Sequence, residues 1–301
     1  MTTAAETPAI ASVPTSPADV TSVLVVGGGQ MGSGIAQVFA QAGRRVLLAD
    51  VSTEQLERAK QGIAKSAAKL HEKGRLSDAQ LADVTGNIDY VSDLAAADLT
   101  GVQLAIEAAT EHLETKLAIF RDLDAKLPDG ALLATNTSSI SITVIAAATK
   151  RPKHVVGMHF MNPVPVLKLV EVISGLETLP AVTELVMELS VELGKTPVHS
   201  KDMPGFIANR ILMPMVNEAF FVLGEGIGTA EGIDEVMKLG MAHPMGPLAL
   251  ADLIGLDTTL AILEVLHRDL GDPKYRPAPL LRQYVAAGRF GRKSGAGVYE
   301  Y

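Results

Sequence analysis

The sequence predicts an α/β protein in which a doubly wound, mostly parallel sheet is followed by an all-α C-terminal domain. Two observations predict this fold class: short β-branched runs alternate with amphipathic helical segments in about the first two thirds of the chain, and the remainder reads mostly as helices. With 301 residues, of which 48% are apolar, the chain is long enough for two domains that each bury a core. We therefore expect a tail over residues 1–19, a sheet domain over 20–204 and a helical domain over 205–301.

The chain begins with a polar tail and a strand–helix–strand unit. Residues 1–19 contain mainly Thr, Ala, Pro and Ser, with too few large apolar side chains to offset the entropy of ordering, so we expect disorder there. Residues 20–49 show a β-branched run, a glycine cluster, an apolar stretch and a second apolar run, which predicts strand, turn, helix and strand. Over residues 53–70, apolar side chains recur every three or four positions, which predicts an amphipathic helix.

The alternation continues to about residue 202, where the pattern changes. Strands are predicted for the apolar runs 103–108, 131–134, 154–160 and 167–173, and helices for residues 113–127 and 182–193. After residue 205 the predicted elements are helices over 207–224, 230–239, 247–266 and 279–287. Because strands that alternate with helices favour a parallel sheet, we place the domain boundary at this change of pattern.

Composition excludes several classes of site. The chain has no cysteine, so it has no disulfide framework, thiolate nucleophile or cysteine-ligated metal, and a reducing cytoplasm suits it. The first basic residue is Arg44, which disfavours an export signal, and the longest uncharged run contains too many hydroxyl and amide side chains to span a membrane. A net charge of −8 disfavours nucleic acid. We expect a cytoplasmic protein with neither a membrane nor a nucleic-acid partner.

A glycine-rich turn predicts a dinucleotide site. Gly27, Gly29 and Gly32 fit G-x-G-x-x-G directly after a predicted strand. The helix that they open begins with Gln30 and Met31, which we expect to contact the dinucleotide together with the three glycines. Asp50 ends the second strand eighteen residues after Gly32, where a carboxylate can accept hydrogen bonds from the adenosine ribose and repel a 2′-phosphate. The pattern favours a Rossmann-like domain that binds NAD rather than NADP. The alternative is a glycine-rich turn in an ordinary sheet protein.

A second group of polar residues follows the later strands. Asn136 and Ser138 come directly after one predicted strand and His159 closes the next, so both positions should lie at the carboxyl edge where doubly wound sheets bind ligands. Glu171 interrupts an apolar strand, where a carboxylate is costly unless it has a partner such as a nearby imidazole. Taken singly, each of these residues could be a turn hydroxyl, an edge histidine or an outward-facing carboxylate.

The first long helix carries a basic stripe. Lys65, Lys69 and Lys73 recur at every fourth residue and therefore share one helical face. Such a face could bind the phosphates of a nucleotide, or it could simply be solvated. No spaced pair among the seven histidines predicts a metal site.

Several ordered motifs resemble the 3-hydroxyacyl-CoA dehydrogenase family, in particular its single-function bacterial 3-hydroxybutyryl-CoA members. They include Ala-Thr-Asn-Thr-Ser-Ser at 134–139 and Gly-Met-His-Phe-Met-Asn-Pro-Val-Pro at 157–165. The other matching segments are residues 27–37, 168–172, 201–210, 244–247 and 291–299. Seven matches in order, over about residues 20–301, are far more specific than any one motif.

The resemblance implies roles for particular residues. It places the catalytic histidine on His159, its partner carboxylate on Glu171, and the substrate-binding serine and asparagine on Ser138 and Asn209. It also implies that the cofactor, NAD, is contacted by Asn136, Ser138, Glu111 and Lys116, and that Ser66, Lys73, Ser138 and Asn209 contact the CoA substrate. It further implies a homodimer joined through the helical domain. Because Asn209 belongs to the predicted helical domain, the implied substrate site would span both domains.

The residue chemistry suits the implied reaction. Interconverting a 3-hydroxyacyl and a 3-ketoacyl thioester needs a hydride carrier and a group that exchanges a proton, and histidine titrates in the right range. Two alternatives stay open: a related NAD-dependent dehydrogenase of free hydroxy acids or sugar acids, and an NAD-binding protein without turnover. A binding protein has no need of a general base, so His159 beside Glu171 favours an enzyme.

Overall fold

The computed structural model describes residues 13–301, so most of the predicted tail, residues 1–12, lies outside the described residues. The chain divides into two compact units, Met1–Asp202 and Met203–Tyr301. The end of the predicted tail is ordered, because Pro17–Asp19 form a short 3-10 helix. Asp19 fixes this turn by accepting hydrogen bonds from the amides of Thr15 and Ser16, both at 2.9 Å. These bonds lower the pKa of Asp19.

Within the described residues, eight strands form a single sheet in the first unit. They are β1 (Ser22–Val26), β2 (Arg45–Ala49), β3 (Ile88–Val91), β4 (Leu104–Glu107), β5 (Leu132–Thr135), β6 (Val155–Phe160), β7 (Leu169–Ser174) and β8 (Thr196–Lys201). The strand order is β3-β2-β1-β4-β5-β6-β7-β8, and only the β6–β7 pairing among these strands is antiparallel. The predicted mostly parallel, doubly wound sheet is therefore confirmed.

Helices of the first unit connect these strands. They are α1 (Gln30–Gln41), α2 (Thr53–Glu72), α3 (Asp78–Gly86), α4 (Leu113–Lys126), α5 (Ile142–Ala146) and α6 (Pro180–Glu192). The predicted apolar face of α2 is buried, as its five spaced residues Leu56, Ala59, Ile63, Ala67 and Leu70 show. Parallel strands need such crossovers, and the core lies between the helices and the sheet.

The second unit is helical, as predicted, but one long helix is divided. Its helices are α7 (Ala208–Gly224), α8 (Ala230–Glu235), which continues as a π-helix (Val236–Gly240), α9 (Pro247–Ile254), α10 (Leu256–Leu270) and α11 (Pro279–Ala286). The prediction of one helix over 247–266 is wrong, because Gly255 adopts φ +105° and separates α9 from α10. Only glycine adopts this conformation readily, so the chain turns there and continues as a new helix.

Two buried aspartates of the second unit join its helices to each other and to the last residues of the chain. Asp234 accepts hydrogen bonds from the amides of Leu248 and Ala249, at 2.8 and 2.9 Å, and so caps the start of α9. Asp252 accepts bonds from the amides of Val298 and Tyr299, both at 2.9 Å. These contacts explain why the C-terminal segment packs on the helices although it contains little regular structure. Across residues 13–301, no helix has the length and apolar character needed to cross a membrane.

Candidate active site

The glycine-rich turn lies between β1 and α1. Gly27 has φ +109°, and a Cβ placed there would lie 2.6 Å from the carbonyl oxygen of Ala108. A Cβ on Gly32 would lie 1.8 Å from the carbonyl oxygen of Gly27, so helix and turn contact each other directly. A Cβ on Gly29 would meet nothing within 4 Å. The turn is closed where the backbone must pack and open at Gly29.

The start of α1 suits an anionic group. Gly29 is the N-cap and provides no side-chain hydrogen bond to the helix. The first amides of a helix lack partners within it, and the helix dipole favours negative charge there. Gln30 and Met31, which were predicted to contact the cofactor, are the first two residues of this helix. The turn and helix together therefore fit a pyrophosphate.

Asp50 directly follows β2 and contacts this turn. Its carboxylate accepts hydrogen bonds from the amides of Gly28, at 2.7 Å, and Ser52, at 2.9 Å. Gln55 donates a further bond to the carbonyl oxygen of Gly28 at 2.7 Å. Asp50 thus shapes the glycine turn and carries negative charge beside it, and its contact with a ribose stays a prediction.

His159 and Glu171 are paired across the sheet. They are register partners in the antiparallel β6–β7 pairing, which directs both side chains to the same face. Nδ1 of His159 lies 2.8 Å from Oε2 of Glu171. Both residues are buried, with 8% and 2% of their surface exposed. The carboxylate therefore orients the imidazole through Nδ1, and Nε2 lies on the opposite edge of the ring.

Ser138 lies in a turn after β5 that binds the carboxylate of Glu111. Oε1 of Glu111 accepts hydrogen bonds from the Thr137 hydroxyl at 2.6 Å, the Ser138 amide at 2.9 Å and the Ser139 amide at 3.2 Å. The hydroxyl of Ser138 lies 3.2 Å from the same oxygen. Burial raises the pKa of Glu111, but the charge of Lys116 and these hydrogen bonds outweigh it and hold the pKa below its usual value.

Lys116 is buried below Glu111. Only 1% of its surface is exposed, and its Nζ lies 2.7 and 2.8 Å from the two carboxylate oxygens of Glu107. It is also 3.5 Å from Oε2 of Glu111. Sequence reasoning did not single out Glu107. The available signal was the one that identified Glu171, a carboxylate in an otherwise apolar strand.

Two further contacts fix the turn after β5. Oδ1 of Asn136 accepts a hydrogen bond from the amide of Phe160 at 2.9 Å, which ties the turn to the end of β6. Asp202 accepts bonds from the Ser141 hydroxyl, at 2.7 Å, and from the Thr143 amide, at 2.8 Å, at the start of α5. Asn136 thus has a structural partner beside the carboxyl end of the sheet, and its contact with NAD stays a prediction.

The loop after His159 forms a wall of a cleft in the first unit. The Asn162–Pro163 peptide bond is cis. Lys195 donates hydrogen bonds to the carbonyl oxygens of Val164 and of Leu167, the latter at 2.9 Å, and so holds this loop. Burial lowers the pKa of Lys195 to about 8. The loop is thus anchored from the interior, close in sequence to the His159–Glu171 pair.

The cleft joins the glycine turn to α2. It encloses about 350 Å³ and is lined by residues of α1, α2 and the loop 162–165. Ser66, predicted to contact CoA, is among the lining residues. Lys73 is not among them and lies exposed at the end of α2. Lys65 and Lys69 are also exposed, so the basic stripe faces solvent.

Asn209 belongs to the second unit. It is the second residue of α7, and 8% of its surface is exposed. The predicted contact of Asn209 with substrate stays a prediction. Among residues 13–301, no group of three or more His, Asp or Glu side chains is arranged to hold a metal ion.

Comparisons with known proteins identify the family. The 3-hydroxyacyl-CoA dehydrogenase NAD binding domain matches residues 22–203, and the C-terminal domain of the same family matches residues 205–301. A probable 3-hydroxybutyryl-CoA dehydrogenase from Deinococcus radiodurans is 53% identical over 92% of this chain and 99% of its own length. One from Bacillus subtilis is 51% identical over 94% of this chain and 98% of its own.

A solved structure gives the same result. The crystal structure of (S)-3-hydroxybutyryl-CoA dehydrogenase from Ralstonia eutropha is similar to this chain with a TM-score of 0.89. The two chains are 48% identical, and the match covers 94% of this chain and 99% of the other. The NAD-binding domain agrees with the glycine turn and the start of α1 described above. The chain therefore belongs to the 3-hydroxyacyl-CoA dehydrogenase family of NAD-dependent oxidoreductases.

Proposed function

We propose that this protein interconverts (S)-3-hydroxyacyl-CoA and 3-ketoacyl-CoA with NAD, and that its substrates are 3-hydroxybutyryl-CoA and acetoacetyl-CoA. The observation that carries the proposal is the His159–Glu171 pair, 2.8 Å apart and buried at the end of β6. A buried imidazole held by a carboxylate is the arrangement a general acid–base needs. The substrate class is supported by relatives named 3-hydroxybutyryl-CoA dehydrogenases, which this chain matches over nearly their full length.

In this proposal His159 exchanges a proton with the substrate oxygen. The NAD held at the glycine turn would supply the acceptor for a hydride from C3 when the alcohol is oxidised. Nε2 of His159 takes the hydroxyl proton as the carbonyl forms, and returns it to the alkoxide in the reverse direction. Glu171 keeps a proton on Nδ1 of the neutral ring and stabilises the imidazolium through their 2.8 Å contact. Proton and hydride thus leave the alcohol for separate acceptors.

The cofactor contacts follow from the glycine turn. Gly27, Gly29 and Gly32 would leave room for the pyrophosphate, with Gln30 and Met31 offering the first amides of α1. Asp50 would bind the adenosine ribose and disfavour a 2′-phosphate. Asn136, Ser138, Glu111 and Lys116 would serve the nicotinamide end, with Lys116 acting from its buried position through Glu111.

The acyl-CoA would follow the cleft between α1, α2 and the loop 162–165. Ser66 lines this cleft, and Lys73 is exposed on the helix beyond it, where an ammonium group could bind a CoA phosphate. Ser138 and Asn209 would hydrogen-bond the reacting oxygen and the thioester carbonyl, and so orient C3 for hydride transfer.

The proposed function is tested by turnover of acetoacetyl-CoA, followed by the loss of NADH absorbance. Wild type should oxidise NADH only when the thioester is present, and His159→Gln should lower kcat by about 10²- to 10⁴-fold. His267→Gln is the matched control, because His267 lies in α10 of the second unit and has no proposed role. Undiminished turnover in His159→Gln would refute the assignment of the proton donor.

We also propose that the protein is a cytoplasmic homodimer joined through the helical unit. Apolar side chains in and beside the π-helix support the interface: Val236, Leu239 and Met241 are 62%, 80% and 62% exposed. Exposed apolar side chains that lie close together in this way are typical of protein–protein interfaces. The cysteine-free composition supports a reducing compartment.

A further inference from the structure

Three charged side chains form a continuous series from the sheet interior to the Ser138 turn. Glu107 is fully buried, Lys116 is 1% exposed, and the side chain of Glu111 is 39% exposed. The Lys116 ammonium lies 2.7 Å from Glu107 and 3.5 Å from Glu111. Glu111 in turn binds the amides of Ser138 and Ser139. The series therefore connects a buried strand end with a residue of the proposed active site.

The position of Lys116 is unfavourable unless both carboxylates are present. It is the fourth residue of α4, where the positive end of the helix dipole disfavours a cation. Its ammonium is also removed from water, which is costly for an unpaired charge. Two carboxylates on one ammonium offset both costs. A buried lysine contributes nothing to solubility and packs less favourably than an apolar side chain, so its two ion pairs explain the residue at this position.

Glu107 is fixed more rigidly than Lys116. It is the last residue of β4, and its register partner in β5, Thr135, donates a hydrogen bond to Oε2 at 2.7 Å. The amide of Ala109 donates to Oε1 at 2.8 Å. Lys116 contacts both oxygens. The carboxylate therefore has a single well-defined orientation, and the sheet itself sets the place where the ammonium must lie.

The two oxygens of Glu111 have different partners. Oε1 accepts the bonds from the turn, whereas Oε2 faces Lys116. A carboxylate that is 39% exposed can also turn toward water, so its attachment to the turn depends on the charge behind it. We propose that Glu107 is a positioning residue: it fixes Lys116, and Lys116 keeps Glu111 bound to the amides of Ser138 and Ser139.

This inference rests on the proposed function where it predicts kinetics, because it assumes that Ser138 contacts the reacting substrate. Displacing Ser138 by a fraction of an ångström to about 1 Å can lower the rate of a positioned reaction by up to about 10²-fold. We expect Lys116→Met to lower kcat for acetoacetyl-CoA reduction by at least tenfold. Glu107→Gln should have a similar effect, because an amide cannot hold the ammonium as an ion pair.

A double variant separates positioning from stability. Lys116→Met leaves the Glu107 carboxylate buried without its cation and should lower Tm strongly. Combining it with Glu107→Gln removes both charges, so Tm should recover most of the loss. The kinetic defect should not recover, because Glu111 still lacks the ammonium. If kcat instead recovers together with Tm, Glu107 has only a structural role and the proposal is wrong.

Hydrogen exchange provides a readout that does not require turnover. The amides of residues 138 and 139 are bound by Glu111, so a peptide covering residues 136–141 should exchange about tenfold faster in the double variant than in wild type. The control is Asp124→Asn, which breaks another largely buried ion pair, Asp124–Arg151 at 2.7 Å, in contacts that do not include the turn. It should lower Tm without changing exchange over residues 136–141.

The two readouts keep the positioning proposal distinct from the proposed function. If wild type fails to reduce acetoacetyl-CoA, the proposed function fails, while faster exchange in the double variant still supports the link from the buried Glu107–Lys116 pair to the turn. If wild type is active but residues 136–141 exchange at the wild-type rate in the double variant, the positioning proposal is overturned.

Discussion

Buried charge at single residues organises the first unit. Glu171 is paired with His159, and Glu107 with Lys116. His159 and Glu107 lie near the carboxyl ends of β6 and β4, Glu171 lies in β7 opposite His159, and Lys116 lies in α4, the helix that follows β4. Removing one member of such a pair leaves a charge or polar group buried without compensation, which costs about 3–5 kcal/mol for an ion pair. Each pair therefore stabilises the first unit only while both of its members are present.

Asp50 combines a structural contact with an electrostatic one. It binds the amides of Gly28 and Ser52 and carries negative charge beside the glycine turn. We predict that Asp50→Ala lowers kcat/KM with NADH and narrows the preference for NADH over NADPH by about tenfold. A tenfold change corresponds to about 1.4 kcal/mol, the size of one charge-assisted contact. Distortion of the turn affects both cofactors alike, so the ratio of their kcat/KM values isolates the charge. An unchanged ratio would contradict the assignment.

Lys195 makes stability depend on pH above neutrality. Burial lowers its pKa to about 8, whereas the pKa of a lysine in the unfolded chain is about 10.4. Between these pH values the unfolded chain binds more protons at this residue than the folded chain, so the free energy of unfolding rises with pH. Below about pH 8 the lysine is protonated in both states, and its contribution to the free energy of unfolding no longer changes with pH. The Tm of wild type minus that of Lys195→Met should therefore increase from about pH 7.5 to about pH 9.5. A constant difference would show that Lys195 does not titrate in this range.

Residue-scale prediction from sequence succeeded where a charged or polar residue interrupts an apolar strand or follows it. His159 and Glu171 were expected to meet, and their 2.8 Å contact confirms it. Glu107 carries the same signal, but the contacts that reveal its partners come from α4 and β5. The burial of Lys116 could not be predicted, because it depends on a carboxylate nine residues earlier and on the packing around it.

At the scale of elements, the β1–turn–α1 unit determines where a cofactor can bind. The turn is closed at Gly27 and Gly32, where a Cβ would collide with backbone oxygens, and open at Gly29. The three glycines of the motif therefore have different roles. Gly27 and Gly32 allow the helix and the strand to contact each other, and Gly29 leaves space for a ligand.

This difference predicts opposite phenotypes for two alanine variants. Gly32→Ala places a Cβ 1.8 Å from a carbonyl oxygen and should lower the free energy of unfolding by about 1–3 kcal/mol. Gly29→Ala meets nothing within 4 Å and should unfold at nearly the wild-type denaturant concentration, yet bind NADH at least about tenfold more weakly. Urea titration and NADH fluorescence measure the two effects. Wild-type NADH affinity in Gly29→Ala would place the pyrophosphate elsewhere.

Elements with a clear apolar period were predicted from sequence, and those without one were missed. The strands β3 and β8 were not predicted, since β3 has four residues and β8 lies at the sheet edge with mostly polar side chains. The division at Gly255 was also missed. The apolar pattern of the sequence continues through α9 and α10, and only the backbone shows the positive φ of Gly255 that separates these two helices.

At the scale of the whole molecule, the chain consists of a sheet unit and a helical unit, and both domains of the family are present. The fold class could be predicted because strands and helices alternate up to about residue 202, whereas only helices are predicted after it. The proposed dimer could not be derived in this way, because surface residues are not constrained by the core. It came from the family resemblance, to which the structure adds the exposed apolar residues of the helical unit.

The proposed dimer predicts a change of mass in solution. Leu239→Glu places a carboxylate on a side chain that is 80% exposed, so the subunit should fold normally. If this surface lies in the interface, the charge should shift the protein from dimer to monomer in light scattering, with a dissociation constant raised at least about tenfold. A wild-type monomer, or a variant that remains dimeric, would exclude this surface.

The central claim is that His159 exchanges the substrate proton, and single-turnover kinetics test it most directly. Wild type and His159→Gln, saturated with NAD, are mixed with (S)-3-hydroxybutyryl-CoA, and formation of NADH is followed by stopped flow. The account predicts an unchanged dissociation constant for NAD and a first turnover slower by about 10²- to 10⁴-fold in the variant. A first turnover at the wild-type rate in His159→Gln would contradict it.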